Sequence, residues 1–99
     1  MDHGDKLAAE LAEKVNRYEK LLNSALEKAD YAPIEKSHLH NVAEDFYTMA
    51  LSYYKDGKHF MQINDLVNAL VCFSYGHAWL DSGARLGLFD VDDDSLFTI

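Results

Sequence analysis

Apolar residues recur at threes and fours from the start of the chain. Leu7, Leu11, Val15, Tyr18, Leu22, Ala25 and Ala29 fall on one face of a helix with 3.6 residues per turn. Glu10 and Lys14, and Glu13 and Arg17, stand four apart on the polar side, where such pairs support a solvated face. The pattern predicts a first helix over about 5–29. Pro33 interrupts it, since proline restricts its predecessor and lacks the N–H that a helix interior needs. A second stripe, Phe46, Met49, Ala50, Tyr53, Gly57 and Phe60, predicts a helix over about 35–62. Asn64 and Asp65 then suit the turn and N-cap of a third helix, over about 65–86.

The third segment departs from ordinary surface amphipathicity. Between Phe73 and Phe89 the large apolar side chains surround the axis, and only His77, Asp81 and Arg85 are charged or carry an imidazole. A helix with so little polar surface is expected to be a core or an interface. Ala69, Gly76 and Gly83 lie seven apart on nearly one face, flanked by Cys72, so another backbone can approach closely there. Tyr75, Trp79 and Leu86 lie to one side of this line and Phe73 and Leu80 to the other, so the helix is placed to bury two faces. Gly57 costs about 1 kcal/mol in a helix interior relative to alanine, which also points to close approach.

Arg85 complements the C-terminal dipole, and Gly87 suits a left-handed cap. Asp90 to Asp94 is an acidic run, followed by Leu96, Phe97 and Ile99, which either fold back on the helices or fray. Three helices of similar length with short connections favour antiparallel neighbours. The expected fold is all-α: a single domain over residues 1–99, an up-and-down three-helix bundle with a short acidic tail at 87–99.

Composition narrows the function. Of the net charge of −8, residues 65–99 contribute disproportionately, with six acids against one base. Nucleic-acid binding calls for a basic stripe, whereas the lysines here are interleaved with glutamates, so nucleic acid is excluded as an expected partner. No apolar run reaches the roughly 18 residues of a membrane span, and the first residues lack the basic and apolar regions of a signal peptide. The single cysteine, Cys72, sits in an apolar segment as a buried hydrophobe, which suits a reducing compartment. The expectation is a cytoplasmic protein with no membrane association.

The run Tyr53-Tyr54-Lys55-Asp56-Gly57, then Phe60, Asp65 and Ala69-Leu70, leads to Tyr75-Gly76-His77-Ala78-Trp79-Leu80-Asp81-Ser82-Gly83-Ala84-Arg85-Leu86-Gly87. Together they resemble an archaeal helical family catalogued as domain of unknown function 357. The resemblance implies a helical bundle, an archaeal origin and an intracellular location, and it brings no activity, ligand or site residue with it. Tyr53, Gly57, Phe60, Ala69, Phe73 and Gly76 are also similar to one tetratricopeptide hairpin, which implies that the second and third helices pack closely around Gly57, Ala69 and Gly76.

His77, Asp81 and Arg85 stand four apart on one helix face, where a carboxylate can orient an imidazole for general-base work or simply close a polar seam. Ser74 lies nearby, but no oxyanion donors or nucleophile turn accompany it. Glu35 with His38 and Asp56 with His59 have the three-residue spacing of di-metal carboxylate bundles, yet neighbouring lysines suit exposed positions. Asp90, Asp92 and Asp94 mimic the start of a calcium loop in which Ser95 replaces the required glycine. No metal or cofactor is therefore expected. The leading reading is a non-enzymatic association module that binds a second copy or another protein through the third helix, with Tyr75 and Trp79, and through the tail, with a homodimer as one form. The other is a small ligand-binding protein or enzyme with Tyr54, His77, Asp81 and Arg85 in a pocket between helices.

Overall fold

The computed structural model describes residues 3–97, and these form three helices joined by short connections. Helix α1 spans His3–Lys28, α2 His38–Gln62 and α3 Leu66–Arg85. Two two-residue strands, β1 at Asp30–Tyr31 and β2 at Phe89–Asp90, pair antiparallel, with Asp30 opposite Asp90 and Tyr31 opposite Phe89. The fold is the expected all-α three-helix bundle. No described helix is long and apolar enough to cross a membrane.

Local chemistry explains the helix ends. Helix α2 begins three residues later than the pattern predicts, because Lys36 adopts a left-handed φ of 66° and Ser37 caps the helix, its hydroxyl accepting the His40 N–H at 3.1 Å. Asp65 caps α3 in the same way, accepting the Asn68 N–H at 3.2 Å. At the far end Gly87, with φ of 76°, lets the Leu88 N–H reach the Gly83 carbonyl at 2.9 Å and the Gly87 N–H reach Ala84 at 3.1 Å. These paired bonds satisfy helix-end carbonyls and turn the chain sharply. Phe89, read from the sequence as the end of the helical run, is therefore in β2.

Core residues come from all three helices and from the segment after α3. Val15, Leu22, Ala25 and Leu26 of α1 meet Ala43 and Ala50 of α2 and Ala69, Phe73 and Leu80 of α3. Leu7, expected in the apolar stripe, is half exposed, because residues 3–10 of α1 have no buried position. Gly57 lies against the Phe73 ring and Gly83 against the Phe89 ring. A β-carbon on Gly76 would stand 3.1 Å from the Ala50 carbonyl oxygen and 2.9 Å from Leu22 Cδ2. The small residues of α3 thus set how closely α1, α2 and β2 approach it.

The acidic tail docks. Leu88, Phe89, Leu96 and Phe97 are buried, while Ile99 lies outside the described residues. Lys28 Nζ meets Asp93 Oδ2 at 2.9 Å, and the Ala32 N–H donates to the Leu88 carbonyl at 3.0 Å. The Asp93 carboxylate also accepts the Ser95 hydroxyl and the Ser95 N–H. Those bonds from Ser95 and Lys28 hold the Asp93 carboxyl down at about 2.

Candidate functional site

Two surfaces of α3 could carry function: a polar cleft on the side toward α1 and the tail, and an open apolar face. The cleft, of about 530 Å³, is lined by residues that include Arg17, Tyr18, Ser74, His77, Asp81 and Asp94. Helical spacing brings Ser74, His77 and Asp81 to it from α3, and the docked tail closes its far side. His77 Nε2 bonds the Leu96 carbonyl and lies 3.9 Å from Asp81 Oδ1. The carbonyl can only accept, so Nε2 donates, and the imidazole fastens the tail to α3.

Tyr54 and Arg85 are not among the cleft-lining residues. Tyr54 donates its hydroxyl to Glu19 Oε2 at 2.8 Å and tilts against the Phe73 ring at 6.0 Å between centroids. Burial and then the bond to Glu19 push its phenol up to about 12. Arg85 is exposed in the last turn of α3. The four residues grouped on sequence spacing therefore split: His77 and Asp81 share the cleft, and Tyr54 ties α2 to α1. Arg17 and Asp94 enter the cleft from other elements and carried no periodic signal that would link them to α3, and nothing in the spacing linked Glu19 to Tyr54.

The open face runs along α3 as Val67, Val71, Ser74, Ala78 and Ser82, with Tyr75 beside it. Val67 is 62% exposed, Val71 45% and Tyr75 58%. The Tyr75 ring stacks on Tyr53 at 5.8 Å and 23° and forms a ridge between two hollows. On one side of that ridge is a hollow lined by Leu70, Val71, Ser74, Tyr75 and Ala78. On the other is one lined by Phe46, Tyr75, Ala78, Trp79 and Ser82, in which Trp79 meets Phe46 edge to face at 5.0 Å. Tyr75 and Leu86, placed in a buried flank by the sequence pattern, are exposed, since no described element covers that side.

Possible metal ligands do not converge. Glu35 lies in the turn before α2, and His38, Asp56 and His59 are exposed. Among the described residues no group of three histidine, cysteine, aspartate or glutamate side chains is placed to hold an ion. His40 pairs with Glu44 at 2.7 Å and meets the Tyr31 ring edge to face at 5.0 Å. Burial raises the Cys72 thiol, with Asp56 and Asp65 adding to the effect.

A family model described as "Protein of unknown function (DUF357)" matches residues 17–89, well over half of the chain, which covers α2, α3 and the C-terminal part of α1. The chain belongs to this family. No curated protein and no solved structure matches it.

Proposed function

We propose that this member of the DUF357 family is a non-enzymatic association module that binds protein through the open face of α3. The observation that carries the reading is the stripe from Val67 to Ser82, apolar or hydroxyl-bearing throughout, in a segment with no lysine, arginine, aspartate or glutamate between Leu66 and Leu80. A protein of net charge −8 has ample polar surface to place outward, and a contiguous uncharged strip marks a contact surface. The buried free cysteine supports an intracellular setting for that association.

Val71→Glu tests the reading. Because Val71 is exposed, the substitution should leave the stability of the chain within about 0.5 kcal/mol. It should reduce the association seen as molar mass by light scattering or as cross-linked species formed in cells. Equal masses and equal cross-linking for the wild type and the variant would refute the module.

The cleft supports a second reading, small-ligand binding, because it brings Arg17, His77 and Asp81 together in a volume typical of ligand sites. Shifts of the His77 ring resonances under a metabolite screen would support it. An unresponsive His77 would end it.

A further inference from the structure

We propose that the partner on the open face of α3 is a second copy of this chain, packed antiparallel about a twofold axis near Ser74 and Tyr75. This rests on the association reading above and identifies its occupant. The open face is complementary to its own reversed image. Val67 and Ser82, Val71 and Ala78, and Ser74 and Tyr75 are three pairs centred on the same point of the helix. In each pair one side chain is large and the other small. Reversing a second helix over the first sets every large residue against a small one, so the Tyr75 ridge enters the hollow lined by Leu70, Val71, Ser74 and Ala78. A parallel pairing would set valine on valine and the two tyrosine ridges on each other.

Charge favours the same arrangement. Arg85 is the one basic side chain of α3 and stands at its C-terminal end, while Asp65 caps the other end. Antiparallel packing brings each Arg85 to the partner's acidic end, whereas parallel packing would oppose the two arginines. Two bodies of net charge −8 repel at long range, which makes an uncharged contact strip a requirement for self-association.

The size of the strip sets the strength. A helix of 20 residues offers a strip about 30 Å long and about 10 Å wide. That is short of the ~800 Å² per partner of a typical stable complex. The adjoining hollow lined by Phe46 and Trp79 can add to the contact, and an interface of this size gives a dimer that dissociates on dilution.

The test combines light scattering over a dilution series with site-directed cross-linking on a Cys72→Ala background. Expected is a mass moving from one chain to two with concentration. Separately prepared Val67→Cys and Ser82→Cys chains, mixed and treated with a short bismaleimide, should join to each other far more than Val67→Cys joins to itself. Preferred Val67→Cys self-joining would overturn the arrangement. A single-chain mass at every concentration would overturn the second copy as occupant. The association reading itself fails by a different sign: a drop of more than about 5 °C in the Tm of dilute, monomeric Val71→Glu would show that the face belongs to the fold.

Discussion

Single residues on α3 fix how closely the elements pack. Gly76 sits where the α2 backbone and Leu22 converge, with the Ala50 carbonyl oxygen 3.1 Å from the position a β-carbon would take. Alanine there gains up to about 1 kcal/mol of helix propensity, but it forces apart backbones that the rest of the core holds in place. Gly76→Ala should therefore cost about 1–2 kcal/mol net in denaturant unfolding. Cys72 gives a chemical readout of the same packing. Its thiol is buried and its ionisation suppressed, so a thiol reagent should react slowly in the native state and fast only in denaturant. Both effects were foreshadowed by the spacing of Ala69, Gly76 and Gly83, because small residues at heptad intervals have few uses other than close approach.

At the scale of elements, the segment after α3 is structural. It turns on Gly87, pairs β2 with β1 and returns Leu96 and Phe97 to the core, where His77 and Lys28 hold it. Phe97→Ala should destabilise the chain by about 3 kcal/mol in denaturant unfolding, as for other buried aromatics. A tail that merely frays would show almost no loss. The sequence displayed the apolar residues of the tail and its acidic run but not which prevailed, since the docking partners, Lys28 and His77, lie 65 and 19 residues away from those they bind. The start of α2 was misplaced for a related reason. Glu35 and Lys36 are good helix formers, yet the left-handed Lys36 and the Ser37 cap delay the helix to His38.

For the whole molecule, the linked groups bracket a window of pH. Asp93 titrates at about 2 when folded, against about 3.9 in an open chain. Its contribution is complete above about 4 and is lost as pH falls through about 2. Tyr54 titrates at about 12 against about 10 in an open chain, so its contribution is complete below about 10 and is lost as pH rises through about 12. Stability measured by thermal unfolding should stay near its plateau between these limits and fall at both ends. Asp93→Asn should flatten the acid limb and Tyr54→Phe the alkaline limb. The molecule is also thin, 55 × 25 × 16 Å, and the other two helices do not enclose all of α3. That geometry leaves Val67, Val71 and Tyr75 in solvent.

Periodicity determined the helices and the all-α class, because the spacing of apolar side chains follows directly from the turn of the backbone, and short connections pointed to antiparallel neighbours. It also marked α3 as too apolar for an ordinary surface helix. Tertiary structure alone decided which face of α3 stays open, whether the tail docks, and that Tyr54 joins Glu19 while His77 joins Leu96 and lies near Asp81. Those outcomes depend on how helices rotate and slide against one another, and residues far apart in sequence jointly set that rotation.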